Sequence, residues 1–152
     1  MRILICCNIY PPHFIGGAEL VAHYQGKHLV AAGHEVRVFT GDTQPIGQRH
    51  DLRTEIYDGL TVHRVHLNGV DYPSDYVNFS HPRVEAHFSS VLADFRPDVV
   101  HCHNIIGLSV TILQMASEFG ARVLLTLHDH WAFCFKNTIM KQVGVACRLF
   151  AL

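Results

Sequence analysis

Two features of this chain have residue types and spacing suited to chemistry: a glycine pair opening a helical pattern, and histidines paired two apart at the ends of strand-like runs. The segment Pro11-Pro12-His13-Phe14-Ile15-Gly16-Gly17-Ala18-Glu19 lies between an apolar run and the helical pattern. A helix N-terminus leaves backbone N–H groups without intrahelical partners, and the summed peptide dipoles make that end attractive to an anion. Glycines there let a ligand reach the backbone with no Cβ in the way, which suits a phosphate or diphosphate. The spacing fits neither G-x-G-x-x-G nor G-x-x-x-x-G-K-[ST], which argues against the nicotinamide fingerprint and the P-loop. A tight βα turn is the plainer reading of the same pair.

His101-Cys102-His103-Asn104 and His128-Asp129-His130-Trp131 are the richest polar clusters elsewhere. Residues two apart on a strand share a face, so His101 with His103, and His128 with His130, can point together. Imidazoles so placed can contact sugar hydroxyls and diphosphate oxygens, or bind zinc or another transition metal. The alternative for each pair is that one member packs inward on a single hydrogen bond. Thirteen histidines make some clustering by chance expected.

Periodicity supplies the elements that position these groups. Ile3 to Cys7 is a continuous apolar run of strand length. Ala18, Ala22, Gly26, Leu29 and Ala32 then recur at helical spacing until Gly33, and small residues on that face let the helix lie close to a sheet. Glu35 to Thr40 is a second strand, which makes a right-handed βαβ unit. Arg53 to Tyr57 and Leu60 to Leu67 flank Asp58-Gly59, a strong hairpin signal, and Asn68 to Ser80 reads as loop. Val84, Phe88, Val91, Leu92 and Phe95 mark a helix with Ser80 or His81 as cap and Pro82 in its first turn. A strand over Val99 to His103, a helix from Leu108 to Phe119 closed by Gly120, and an apolar strand from Arg122 to Leu127 complete the order. The last strand is apolar enough to be central and buried on both faces. The alternation predicts a doubly wound, mostly parallel Rossmann-like sheet with helices on both faces, and ligands in such sheets gather outside the carboxyl ends of the strands.

A length of 152 residues fits one domain. With 49% hydrophobic and 16% charged residues the chain is globular in composition, and a net charge of −1 gives no electrostatic reason to expect nucleic acid or an anionic membrane as partner. Its apolar runs are too short for a signal-peptide core or a membrane span, so a soluble, cytoplasmic protein is expected. Five cysteines, none in a C-x-x-C, fit free thiols better than a disulfide framework, with Cys6, Cys7 and Cys102 as packing residues.

Taken in order, Pro11-Pro12 with Gly16-Gly17-Ala18-Glu19, Ala32-Gly33-His34-Glu35-Val36, Arg96-Pro97-Asp98-Val99-Val100-His101-Cys102-His103 and Thr126-Leu127-His128-Asp129 resemble the N-terminal half of a family-four glycosyltransferase. The resemblance spans residues 2 to about 135. It implies the GT-B fold, two Rossmann-like domains facing across a cleft, and transfer of a sugar from a nucleotide-sugar donor to a glycan, lipid or small-molecule acceptor with retention at the anomeric carbon, as in polysaccharide biosynthesis.

By position, the resemblance makes Gly16 and Gly17 the loop whose backbone approaches the donor diphosphate. His128 becomes the catalytic histidine that orients hydroxyls near the transferred sugar, with His103, Asn104 and Asp129 on the acceptor side. Metal is usually not required in such enzymes, because positioned donors stabilise the leaving diphosphate. No cofactor and no metal ligand are expected on this reading. Residues 1–152 then form a single acceptor-side domain, and the nucleotide-sugar-binding domain belongs beyond Leu152. Cys134 and Cys147 resemble the start of a cysteine-bearing insertion, but two cysteines fall short of four tetrahedral ligands. A GT-B epimerase and a metal-dependent hydrolase built on the paired histidines are the alternative functions.

Overall fold

Alternate residues of the first apolar run face opposite sides of a strand, and the fold uses both sides. The computed structural model describes residues 1–44, 47–68, 71 and 79–129, together with the backbone of 140–142 and 145–146. β1 (Arg2–Cys7) lies between β2 (Glu35–Asp42) and β5 (Val99–Cys102) and is parallel to both. Ile3, Ile5 and Cys7 pack with Ala22 of α1 (Gly17–Ala31), whereas Leu4 and Cys6 pack on the opposite face with α2 (Pro82–Phe95) and α3 (Thr111–Glu118). Helices therefore cover both faces, as the doubly wound reading expects. Gly26 lets α1 lie close to the sheet: a Cβ there would stand 3.2 Å from Leu60 Cδ1 and 3.4 Å from Ile5 Cδ1.

The sheet order is β3-β4-β2-β1-β5-β6. β3 (Leu52–Tyr57) and β4 (Leu60–His66) form the expected hairpin, with Asp58 and Gly59 both at positive φ, the geometry for which Asp-Gly is favoured. β4 continues the parallel sheet against β2. The N-cap of α2, His81, makes no side-chain cap; the Glu85 carboxylate instead accepts the His81 backbone N–H at 2.8 Å. A short antiparallel pair, β7 (Met140–Gln142) and β8 (Val145–Ala146), stands apart.

Three expectations are corrected. Among the described residues β6 (Arg122–Leu125) is an edge strand and not a buried central one, with Leu124 53% and Leu125 40% exposed. Apolar composition reports that a strand is suited to burial but not how many neighbours it has. The helix expected from Leu108 begins at Thr111, because Gly107 and Ser109 hold positive φ and Leu108 is buried in the turn before it. β5 ends at Cys102, so His103 belongs to the loop.

Candidate functional site

Strand order reverses at β1: the chain from β1 runs outward through β2, then returns to the other side at β5. At such a switch point the loops leaving neighbouring strands diverge and open a crevice. Here the walls are tied at their base. The Asn8 N–H donates to the Asn104 carbonyl at 2.6 Å, the His103 N–H to the Cys6 carbonyl at 2.8 Å, and the Gly41 N–H to the Asn8 carbonyl at 3.0 Å.

The glycine loop forms one wall. Gly16 is extended and caps α1, and its N–H donates to the Glu19 carboxylate at 3.1 Å, so Glu19 closes the first turn from within. Neither glycine holds positive φ. A Cβ on Gly17 would meet nothing within 4 Å, and one on Gly16 only Glu19 Oε2 at 3.8 Å. Backbone geometry and internal packing therefore do not demand glycine at either position, although the pair stands at an exposed helix N-terminus.

Arg64 holds this loop, and sequence reasoning missed it because strand periodicity marks a residue's face and not its partners. Its guanidinium is buried, donates to the carbonyls of Tyr10 (3.0 Å) and Pro11, and pairs with Glu55 at 2.7 Å. Tyr10 is in turn buried against α1, its hydroxyl 2.9 Å from His23 Nδ1. Burial pushes the Tyr10 phenol well above its usual value.

Histidines from the ends of β5 and β6 form a second cluster. His103 is buried, with Nε2 2.9 Å from Gln25 Oε1 on α1 and Nδ1 2.8 Å from Nε2 of the exposed His128. An amide oxygen only accepts, so His103 Nε2 carries the proton and its Nδ1 accepts from His128 Nε2–H. His128 Nδ1 is then the ring nitrogen that His103 does not engage. Burial, and next the neighbouring His101 and His128, hold the His103 imidazole down at about 4. His101 stacks on His103 with ring centroids 4.6 Å apart, and its Nε2 lies 2.8 Å from Thr126 Oγ1; burial, then His128, lowers its pKa too.

Of the residues singled out in the sequence, His101, His103 and His128 come together, but their nitrogens engage one another, Gln25 and Thr126 rather than converge on one point. His103 stands behind His128, with both ring nitrogens occupied. Asn104 builds the loop itself, its side chain accepting the Ile106 N–H at 3.1 Å. Asp129 is exposed beside His128. Gly17 lies eight residues before Gln25, about 12 Å along the helix, so α1 spans from the glycine pair to the histidines. His130, Trp131, Cys134 and Cys147 lie outside the described residues. Between the glycine loop and Ile106 lies an open groove of about 620 Å³, with Ile9, Pro12, Phe14 and Ile15 on its lining. Asn8 also lines it, and Asn8 Oδ1 is buried without a hydrogen-bond partner. Cys6, Cys7 and Cys102 are free and buried, as packing residues should be, and burial pushes the Cys7 thiol up to about 12. Among the described residues no helix is long and apolar enough to cross a membrane.

A doubly wound, mostly parallel sheet with helices on both faces is the form of a GT-B half. The chain belongs to the glycosyl transferase 4-like domain family, whose profile matches residues 16–152. It is 29% identical, over its whole length and 44% of the relative's, to an uncharacterized 42.6 kDa protein in the cps region of Klebsiella pneumoniae. A glycogen synthase of Mycobacterium tuberculosis is 28% identical over 84% of this chain and 33% of its own. The chain thus spans less than half the length of these relatives. Among solved structures, a sucrose-phosphate synthase from Thermosynechococcus elongatus superposes with a TM-score of 0.64 at 18% identity, over 95% of this chain and 37% of that one. Starch synthase IV from Arabidopsis thaliana, bound to ADP and acarbose, gives 0.60 at 20% identity over 86% and 34%. These likenesses establish the GT-B glycosyltransferase domain fold.

Proposed function

We propose that this chain is the acceptor-side domain of a retaining glycosyltransferase that moves a sugar from a nucleotide-sugar donor to a glycan, lipid-linked or small-molecule acceptor. The observation that carries the reading is that α1 opens on a glycine pair the fold does not itself require and, about two turns further on, holds through Gln25 the His103 that contacts His128. In the reaction the bond from the anomeric carbon to the diphosphate oxygen breaks, the acceptor oxygen bonds to that carbon, and the acceptor proton leaves with the diphosphate. The α1 N–H groups and helix dipole stabilise the charge that builds on the departing diphosphate, and stabilisation of this kind is a large catalytic contribution. His128 orients a hydroxyl of the transferred sugar, held in place by His103 and Gln25. Of the acceptor-side residues, the exposed Asp129 is placed to meet the acceptor, while His103 and Asn104 act from behind, on His128 and on the loop that follows β5. Polysaccharide synthases among the relatives support a glycan product, and ADP in the starch synthase structure supports a nucleoside-diphosphate donor.

The donor's nucleotide requires a second domain. Misplacing reacting groups by about 1 Å costs on the order of a hundredfold in rate, so half a cleft is expected to be inert. The test assays the 152-residue chain alone, and joined to a donor-side GT-B domain, with nucleotide sugars in the presence and absence of acceptors. Transfer only by the joined form, and only with acceptor, is expected. Turnover by the chain alone overturns the reading, and altered nucleotide sugar without acceptor identifies an epimerase instead.

A further inference from the structure

His50, Asp71 and His81 meet at the carboxyl end of β4, two strands away from β1, and no part of the proposed transfer uses them. His50 lies in the turn before β3, Asp71 follows β4, and His81 caps α2. His50 Nε2 is 3.3 Å and His81 Nε2 is 3.6 Å from the same atom, Asp71 Oδ1, and the three ligand atoms all lie within 4.8 Å of one another. Ligands about 2.0–2.1 Å from a tetrahedral zinc stand about 3.3 Å apart, so the two distances to Asp71 Oδ1 are close to a coordination polyhedron's edges. We infer that His50, Asp71 and His81 bind a divalent transition metal of the zinc type, with a fourth position left for water.

Two observations separate this cluster from a carboxylate lock. The Arg49 guanidinium already engages both oxygens of Asp71, Nε at 3.1 Å from Oδ2 and Nη2 on Oδ1, so the buried carboxylate is neutralised without either histidine. His81 is nonetheless buried with its Nε2 turned to Asp71 Oδ1 and without a hydrogen-bond partner. At 3.6 Å from Asp71 Oδ1 that nitrogen stands beyond hydrogen-bond length, and a metal seated between the two would use it. Supports behind the ligands are also in place. The Asn68 N–H donates to Asp71 Oδ2 at 2.8 Å, and the His50 carbonyl accepts from His87 Nε2 at 2.7 Å. Such outer contacts hold ligands in register. Arg49 is half-exposed, so its side chain is the gate: it swings out as the ion enters and takes over the carboxylate.

Cobalt(II), which reports tetrahedral N/O coordination by its visible absorption, and zinc in competition with it are titrated into the 152-residue chain. One equivalent of each is expected to bind, lost in His81→Ala and in Asp71→Asn and retained in His128→Ala, with native circular dichroism in every variant. Because a ligand variant can fail to fold, Arg49→Ala is the second measure: removing a cation from beside the ion is expected to tighten binding by about tenfold or more. A pure lock predicts no tightening. Absence of stoichiometric binding at metal concentrations on the order of 100 µM in both the parent chain and Arg49→Ala, or binding that persists in His81→Ala and disappears in His128→Ala, overturns the site.

Discussion

His103 Nδ1 lies 2.8 Å from His128 Nε2, and this one contact joins a buried imidazole behind β5 to an exposed one beyond β6. Its direction is set from α1, where Gln25 Oε1 claims the proton on His103 Nε2. Gln25→Leu in the joined two-domain protein is therefore expected to lower kcat by about tenfold, the low end of what outer-contact losses cost, with donor KM little changed. His128 would lose its preferred tautomer while keeping its place. Steady-state kinetics checks this, and an unaltered kcat removes Gln25 from the site.

Replacing His128 itself should cost more. His128→Ala is expected to reduce kcat by roughly 10²-fold or more, since contacts that strengthen in the transition state act on rate rather than on ground-state binding. Its ring is exposed, so the urea midpoint should hardly move. A loss that a chelator reproduces in the parent enzyme would transfer the role of His128 to a metal.

Gly17→Val tests the glycine pair. Open space surrounds that position, so stability should shift by no more than about 0.5 kcal/mol. A branched side chain at the helix N-terminus obstructs a diphosphate, and donor affinity measured by calorimetry should fall while acceptor affinity holds. Equal donor affinity in both proteins would make the pair a turn and nothing more.

Arg64→Met should act through the scaffold. It leaves the Tyr10 and Pro11 carbonyls without their donor and Glu55 with Arg53 alone, and buried acceptors so orphaned cost about 1–3 kcal/mol each. A loss of about 2–4 kcal/mol in urea unfolding is expected, because Glu55 is partly exposed and recovers water. Undiminished stability would mean that the loop holds itself.

Acid should weaken the histidine cluster. The His103 ring titrates at about 4 when folded, against 6.5 ordinarily, so the unfolded chain binds the extra proton first. Its contribution is full above about pH 6.5 and is lost as pH falls toward about 4, at about 1.4 kcal/mol per pH unit, or about 3 kcal/mol in all. Urea midpoints at pH 7 and 4.5 should converge in His103→Gln relative to the parent. An identical pH slope in the two proteins would contradict this.

What the sequence determined by itself was local or repetitive. Alternating apolar periods place β1, α1, β2 and α2 within a residue or two, and Asp58-Gly59 supplies the two positive φ angles that a tight hairpin needs. Five consecutive apolar residues, Ile3 to Cys7, call for a layer on each side of β1, which is the doubly wound architecture. The paired histidines were visible as candidates from their two-residue spacing alone. Tertiary structure decided what those residues touch. Gln25 reaches His103 across 78 positions, Arg64 reaches back 53 to Pro11, and His81 turns to Asp71 from a different segment; no periodicity encodes such pairs. The edge position of β6 was hidden for the same reason: side-chain hydrophobicity is a property of one strand, while burial is a property of its neighbours.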